Sequence, residues 1–177
     1  MEVCAPSILC IVETQLAKAR VEGLAVSLGF SGCFAVPSNG RSGGLCIFWK
    51  DHVNLAIKNF LQYHIDSWIS QPGANDWRLS CFYGEANRSL RHNTWETMKR
   101  LRGESTLPWV CIGDFNELLR PEEHMGTSTR DSGQIAGFRE AVDVCELADL
   151  GYKGLDWTWE KRVRGGEFCR VRLDRAL

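Results

Sequence analysis

Apolar residues cluster in short runs along the chain, and these runs predict buried β-strands. Continuous apolar runs lie at Ile8–Val12 and 109–113, a length that suits strands covered on both faces. Strands are also predicted at Leu45–Trp49 and 55–60. Over Trp77–Tyr83 apolar and polar side chains alternate with the period of two that is typical of a strand.

Helices are predicted where apolar side chains return every three or four residues. Ala17, Val21, Leu24 and Leu28 form one such face, and Gly29 ends the predicted helix. Similar faces occur further along the chain, at Trp95, Met98 and Leu101 and at Ile135, Phe138, Val142 and Cys145.

Capping signals precede these last two helices. Asn93 followed by Glu96 resembles a capping box, and Asp131 followed by Gln134 resembles a second one. Near the C-terminus, 157–159 and 168–173 predict further strands, and the aromatic pair of Trp157 and Trp159 is most simply part of the core. Strands outnumber helices and the elements interleave, which predicts one α/β or α+β domain over residues 1–177.

Composition narrows the class of protein. The chain has 177 residues, 44% of them hydrophobic, and 21 Lys and Arg against 22 Asp and Glu, for a formal net charge of −1. These values exclude a disordered tail, a collagen-like fibre and a coiled coil. Balanced charge also excludes wholesale attraction to nucleic acid, although local basic faces remain open. Basic residues crowd two stretches, Arg88, Arg91, Lys99, Arg100 and Arg102, and Lys161, Arg162, Arg164, Arg170, Arg172 and Arg175.

The eight cysteines favour a reducing compartment. No two of them have C-x-x-C spacing, and Cys46, Cys81 and Cys111 lie inside apolar runs, as buried thiols do. No apolar stretch reaches the length of a membrane span, and no signal peptide is recognisable. We therefore expect an intracellular protein, nuclear or cytoplasmic, that is not secreted and has no membrane partner.

Polar residues at the ends of predicted strands are the candidates for a catalytic or metal-binding site. Glu13 follows the first apolar run, Asp114 and Asn116 follow the run that ends at Gly113, and Asp174 ends the last strand. If the extended geometry persists, Asp114 and Asn116 point to the same side, where an acceptor and an amide donor could orient a water and hold a phosphate oxygen. A lone glutamate suits Mg²⁺, which keeps most of its waters. The alternative is that each is an ordinary surface or turn residue.

The surroundings of Asp114 resemble a known family. The string at 108–117 resembles the G-D-F-N motif of the endonuclease/exonuclease/phosphatase superfamily, which has the DNase I-like fold. Matching strings follow the family's order at 13–15, 40–45, 82–84 and 172–174. More narrowly, the sequence is similar to the endonuclease domain of plant LINE-type (non-LTR) retrotransposons and the reading frames derived from them, in the combination of residues 40–49, 82–84, 107–118, 137–141 and 172–177.

This resemblance implies a two-sheet α/β sandwich with helices on the outer faces and Mg²⁺-dependent hydrolysis of phosphodiesters, with DNA as the partner and Mn²⁺ as an alternative metal. By the resemblance, Glu13 holds the metal and Asp114 positions or deprotonates the attacking water. Asn116 hydrogen-bonds the phosphate, Tyr83 contacts the phosphate or supports the site, and Asp174 orients a catalytic histidine. Phosphate hydrolysis depends mostly on water positioning and charge neutralisation, and these residue types supply both.

The chain departs from the family at both ends. The family opens with a strand that carries a metal-binding Asn, and it closes with a Ser-Asp-His segment beyond the R-L-D string. Neither is found here, so we expect an incomplete domain in which metal binding is weak and hydrolysis is crippled. Two alternatives stay open: a non-catalytic remnant that binds nucleic acid weakly, and a phosphatase of the same fold.

Overall fold

The computed structural model describes residues 5–38, 43–126, 130–162 and 168–177. The chain divides into two compact units. Unit 1 comprises Met1–Tyr83 with Leu107–Gly113, and unit 2 comprises Gly84–Thr106 with Asp114–Leu177. No described helix is long and apolar enough to cross a membrane.

Unit 1 contains two sheets and one helix. Its elements are β1 (Ile8–Val12), α1 (Lys18–Ser27), β2 (Gly32–Val36), β3 (Leu45–Trp49), β4 (Asn54–Leu61), β5 (His64–Ser70), β6 (Trp77–Tyr83) and β7 (Trp109–Asp114). The first sheet is antiparallel and has the order β1-β3-β2, with Ile8 of β1 opposite Trp49 of β3 and Gly32 of β2 opposite the same Trp49. In the second sheet, β7, β6, β5 and β4 are neighbours in that order.

The core of unit 1 lies between its two sheets. Leu45 and Ile47 from β3 pack with Ile65 from β5 and with Leu79 and Cys81 from β6, all of them buried. The opposite face of β3 carries Cys46 and Phe48, which pack with Val21, Ala25 and Phe30 from α1 and the turn after it. Both faces of the β1-β3-β2 sheet are therefore covered, and continuous apolar runs are the sequence pattern that this arrangement requires.

A buried ion pair crosses the second sheet of unit 1. Asp66 on β5 accepts hydrogen bonds from Arg78 Nε at 2.7 Å, Arg78 Nη2 at 3.0 Å and Ser80 Oγ at 2.6 Å. Trp109 on β7 donates its indole N–H to Ser80 Oγ at 2.8 Å, and its ring lies under the Arg78 guanidinium. Asp66 and Arg78 are each only 1% exposed. Burying these charges is tolerable only because each satisfies the other.

Unit 2 combines two packed helices with short strands. Its elements are α2 (His92–Arg102), β8 (His124–Gly126), α3 (Ser132–Val144), β9 (Trp159–Arg162), β10 (Phe168–Val171) and β11 (Asp174–Ala176). Three of the strands form a small antiparallel sheet of order β8-β10-β9. Gly137 of α3 lets the two helices approach each other, because a Cβ atom there would lie 2.6 Å from the Trp95 ring of α2.

A cluster of ion pairs links the C-terminal strands of unit 2 to its loops. Arg175 donates to Glu123 at 2.9 Å and to Asp149 at 2.9 Å, and Arg172 donates to Asp149 at 2.9 Å. Burial disfavours the charged form of Glu123, but the hydrogen bond and the charge of Arg175 outweigh it and lower the pKa of that carboxyl. Burial likewise opposes ionisation of Asp149, and its hydrogen bond with Arg172 lowers the pKa instead.

Several predicted elements are confirmed and some are corrected. The predicted bounds of β1, β3 and β6 are those of the structure, and Asp131 caps α3 by accepting from the Gly133 N–H at 2.8 Å. The capping role of Asn93 is wrong, because α2 already begins at His92 and no side chain caps it. Trp159 is not a core residue, since 43% of its surface is exposed on β9. Cys46, Cys81 and Cys111 are buried thiols outside any disulfide, as predicted.

Candidate active site

Glu13 and Tyr83 meet through their side chains in unit 1. Glu13 directly follows β1 and has a left-handed φ of 52°, while Tyr83 is the last residue of β6. The Tyr83 hydroxyl donates a hydrogen bond to Glu13 Oε1. Tyr83 is buried and Glu13 is exposed, so a buried hydroxyl fixes one oxygen of a carboxylate that remains open to solvent. The sequence named both residues as candidates, but their direct contact is a finding of the structure.

Gly44 supports the segment that carries Glu13. Its carbonyl accepts a hydrogen bond from the Thr14 N–H at 3.1 Å, and its φ is +92°. A Cβ atom at this position would lie 2.5 Å from Thr14 Oγ1. The close contact and the positive φ explain why a glycine stands at position 44 of the motif at 40–45. Residues 40–42 of that motif lie outside the described residues.

Asp114 and Asn116 form a tight turn at the end of β7. Asp114 Oδ1 accepts the Asn116 backbone N–H at 2.7 Å, and Asn116 Nδ2 donates to the Gly84 carbonyl at 2.8 Å. The extended geometry on which the predicted common side of Asp114 and Asn116 depended does not persist, because Asn116 has a left-handed φ of 55°. Asparagine tolerates this conformation better than most residues, and the turn instead bonds the Asp114 carboxylate to the Asn116 backbone.

Close backbone approaches fix this turn. The Gly84 N–H donates to the Asp114 carbonyl at 2.5 Å, and the Phe115 N–H donates to the Leu173 carbonyl at 3.0 Å. A Cβ atom on Gly84 would lie 2.4 Å from the Phe115 carbonyl oxygen. Gly84 therefore belongs to the site, because only glycine admits this contact.

A buried ion pair anchors the residue that follows the turn. Glu117 Oε2 accepts from Arg91 Nη1 at 2.7 Å, and Glu117 Oε1 accepts the Leu118 N–H at 2.9 Å. Arg91, at the start of α2, also donates to Gln134 Oε1 at 3.4 Å. Sequence reasoning missed Glu117, which read as one more polar residue after the G-D-F-N string. Its position directly after Asn116 was the available signal.

Asp174 was predicted at the end of the last strand, and the structure places it at the start of a separate one. It begins β11 instead of ending the preceding strand, which stops at Val171. The break comes from Thr158, whose Oγ1 accepts the N–H groups of both Leu173 and Asp174 at 3.0 Å. The Asp174 side chain is exposed.

The described residues fit a Mg²⁺ ion that is bound mainly by water. No group of three or more His, Cys, Asp or Glu side chains among them could enclose a metal ion. Glu13 offers an exposed carboxylate whose orientation is fixed by the hydrogen bond from Tyr83. Mg²⁺ dehydrates reluctantly and is commonly held by one or two carboxylates, so a single carboxylate is a fitting, weak ligand set.

Most of the predicted basic residues take part in ion pairs. Four basic residues before and within α2 form ion pairs: Arg88 with Asp131, Lys99 with Glu96, Arg100 with Glu104, and Arg102 with Glu146. On the β9–β10 pair, Arg170 donates to Glu160 at 2.7 Å and its guanidinium lies over the Trp157 ring. Arg164 lies outside the described residues.

No protein-family model matches the chain, and no curated protein matches it. Solved structures of nucleases are nevertheless similar to it. The endonuclease domain of TRAS1, a telomere-specific non-LTR retrotransposon, aligns with a TM-score of 0.65 at 16% identity, over 95% of this chain and 84% of that one.

Two further structures match over most of their length. An AP endonuclease from Archaeoglobus fulgidus aligns with a TM-score of 0.61 at 16% identity, over 97% of this chain and 75% of that one. A 3′–5′ exonuclease (NExo) from Neisseria meningitidis aligns with a TM-score of 0.63 at 16% identity, again over 97% and 75%. At these identities the comparison shows the fold alone, and the chain has the α/β fold of the DNase I-like endonucleases, exonucleases and phosphatases.

Proposed function

We propose that the chemistry of this chain is Mg²⁺-dependent hydrolysis of phosphodiester bonds in DNA, and that the chain derives from the endonuclease of a plant LINE-type retrotransposon. The observation that carries the proposal is the turn at Asp114 and Asn116, which holds a carboxylate and an amide in fixed relation by hydrogen bonds of 2.7 and 2.8 Å. The fold shared with a retrotransposon endonuclease domain supports the same chemistry.

Asp114 is the residue that we assign to the attacking water. A carboxylate accepts several hydrogen bonds over its two oxygens, so it can position a water and take its proton. The N–H of Asn116 holds Oδ1 in place at 2.7 Å, which reduces the reorganisation that the reaction requires.

Asn116 is assigned to a non-bridging phosphate oxygen. Its side-chain amide has two N–H donors, and the bond to the Gly84 carbonyl uses one of them. That bond also fixes the plane of the amide, so the second donor has a defined direction. A phosphate oxygen is an acceptor that this donor could bind.

Glu13 and Tyr83 are assigned to the metal. Mg²⁺, when bound, neutralises charge on the phosphate oxygens. The carboxylate of Glu13 would hold it, with the Tyr83 hydroxyl fixing Oε1. A partner that orients a metal-binding carboxylate typically affects metal affinity by about 10–100-fold. Asp174 is assigned to the orientation of a catalytic histidine, as in the resembling family, and its exposed carboxylate is compatible with that role.

Nicking of supercoiled plasmid tests the proposal. The chain is assayed alone and joined to the N-terminal strand and Ser-Asp-His segment of a complete relative, in Mg²⁺ and in EDTA. We expect Mg²⁺-dependent nicking by the joined protein and a rate lower by several orders of magnitude for the chain alone, because acid–base and positioning groups each contribute about 10²–10⁴-fold.

Asp114→Asn is the decisive variant, because an Asn side chain can still accept the Asn116 N–H and keep the turn. We expect it to abolish nicking by the joined protein, whereas Asp143→Asn on the exposed face of α3 leaves the rate unchanged. Equal rates for the two variants would refute the assignment of Asp114. Metal-independent DNA binding without nicking would favour the non-catalytic alternative, and hydrolysis of phosphomonoesters alone would favour a phosphatase.

A further inference from the structure

A buried ion pair begins at the residue that follows the turn of Asp114 and Asn116 in unit 2. Glu117 Oε2 accepts from Arg91 Nη1 at 2.7 Å, and the two side chains are only 1% and 10% exposed. A peptide bond joins Glu117 to Asn116, the residue assigned to the phosphate. The ion pair is therefore placed to influence the direction of that amide.

The two oxygens of Glu117 have different partners. Oε2 is held by Arg91, whereas Oε1 accepts the N–H of Leu118 at 2.9 Å. The carboxylate thus fixes the backbone that leaves Asn116, while Asp114 Oδ1 fixes the Asn116 N–H from the other side at 2.7 Å. Asn116 has a left-handed φ of 55°, and a residue other than glycine persists in such a conformation where its surroundings hold it.

Arg91 connects this carboxylate to both helices of unit 2. It lies directly before α2, and its Nη1 also donates to Oε1 of Gln134 on α3 at 3.4 Å. Gln134 Nε2 in turn donates to the Arg88 carbonyl at 2.7 Å. The two helices pack against each other, and side chains held by such elements are placed more precisely than side chains held by loops.

Stability alone does not explain a buried ion pair at this place. Taking both charges out of water is costly, and replacing such a pair by apolar residues of similar volume is often neutral or stabilising. Apolar side chains could fill the same space, but they could neither accept the Leu118 N–H nor donate to Gln134. What the ion pair supplies beyond packing is a fixed direction for the turn.

We infer that Arg91 and Glu117 are positioning residues for the hydrolysis of the phosphodiester. The inference rests on the proposed function for the role of Asn116. Both residues act through Asn116, whose amide donates one N–H to the Gly84 carbonyl at 2.8 Å and has a second N–H for a phosphate oxygen. A misplacement of about 1 Å can cost about 100-fold in rate, so holding this donor in place matters.

Replacing both charges together separates positioning from stability. The test variant combines Arg91→Met with Glu117→Leu, which removes the ion pair and leaves apolar side chains in the interior. The matched control combines Arg102→Met with Glu146→Leu, which removes a more exposed ion pair between α2 and the end of α3. Both variants keep the net charge of the chain. We expect thermal melts by circular dichroism to show that both are folded.

Plasmid nicking by the joined protein gives the kinetic readout. We expect the test variant to lower kcat by about 100-fold and to leave KM nearly unchanged, because the transition state loses a positioned donor. In an Asn116→Ala background the same double replacement should cause no further loss, since it acts through Asn116. The control should leave the rate unchanged in both backgrounds. Arg91→Lys, which keeps the charge without the guanidinium fork, should cause a smaller loss of kcat.

NMR spectroscopy of the chain alone gives a readout that needs no activity. The side-chain amide resonances of Asn116 are identified in a nitrogen–proton correlation spectrum by their absence from the spectrum of Asn116→Asp. We expect these resonances to shift in the test variant and in Arg91→Lys, and to stay in place in the control with Arg102→Met and Glu146→Leu.

The inference and the proposed function fail in different ways. The inference is overturned if the test variant nicks like the control, or if its loss of kcat is as large in the Asn116→Ala background as without it. If the joined protein does not nick at all, the proposed function fails and the amide resonances decide: unmoved Asn116 resonances overturn the positioning, and shifted ones support it. If the test variant does not fold, Arg91→Lys decides by the same comparisons.

Discussion

Gly113, the glycine of the G-D-F-N motif, occupies a place where a side chain cannot fit. Its φ is +137°, and a Cβ atom would lie 1.9 Å from the Phe82 carbonyl oxygen of the neighbouring strand β6. We expect Gly113→Ala to destabilise the protein strongly and to displace the Asp114 turn that begins one residue later. The matched control is Gly73→Ala, because Gly73 also has a positive φ of +79° but a Cβ there meets nothing within 4 Å.

At Gly113 an alanine would meet both backbone strain and a steric clash, whereas at Gly73 it would meet backbone strain alone. An alanine in a sparsely populated backbone region costs about 1–3 kcal/mol. Inserting an extra carbon into a packed interior costs a further 1–3 kcal/mol or so, and the neighbour here is backbone, which yields little. We therefore expect Gly113→Ala to lower the free energy of unfolding by about 4 kcal/mol and Gly73→Ala to lower it by about 1–2 kcal/mol.

Urea unfolding followed by circular dichroism and by tryptophan fluorescence measures both variants. If the two probes give different midpoints, the probes report on separate transitions, and each is analysed by itself. Plasmid nicking by the joined protein is then measured below the unfolding transition, where Gly113→Ala should have lost its activity. A Gly113→Ala protein as stable as Gly73→Ala would refute the close contact between β6 and β7.

Asp66→Asn should lower the free energy of unfolding by about 3–5 kcal/mol, because it leaves the buried Arg78 without its counter-charge. The control Asp51→Asn, at a side chain that is 89% exposed, should change the free energy of unfolding little, and urea titration measures both variants. Tyr83→Phe should leave the melt unchanged and slow nicking by the joined protein by about 10–100-fold, because the hydroxyl that orients the metal-binding carboxylate is gone. The lowered pKa values of Glu123 and Asp149 predict stabilisation above their unfolded-state pKa values that is lost as pH falls below about 4, and the melting temperature measured from pH 7 to pH 3 should drop there, less steeply in Asp149→Asn.

Much of the fold could be predicted because strand burial leaves a local pattern. The run at Ile8–Val12 is apolar throughout since one of its faces packs on the core between the two sheets of unit 1 and the other packs on α1 and the turn after it. Strand β5 at His64–Ser70 was not predicted, because Asp66 interrupts its apolar pattern. Asp66 is buried only because Arg78 pairs with it from the next strand, and a pairing between strands is not visible in a local window.

The site was predicted in its residue types and missed in its geometry. The G-D-F-N string identified Asp114 and Asn116, but the turn between them depends on hydrogen bonds to Gly84, which lies 32 residues away from Asn116 in sequence. Glu117 was overlooked for the same reason, since its partner Arg91 lies 26 residues earlier. Residue identity at a strand end indicates candidate chemistry, whereas the hydrogen bonds that fix its orientation come from distant parts of the chain.

The Mg²⁺ concentration that gives half-maximal plasmid nicking tests whether Glu13 holds the metal. It is determined for the joined protein, for Glu13→Gln and for the control Asp76→Asn, an exposed carboxylate of the same unit. If Glu13 holds the metal, Glu13→Gln should raise this concentration by at least about tenfold and Asp76→Asn should not change it. An unchanged Mg²⁺ dependence in Glu13→Gln, with nicking intact, would contradict the account.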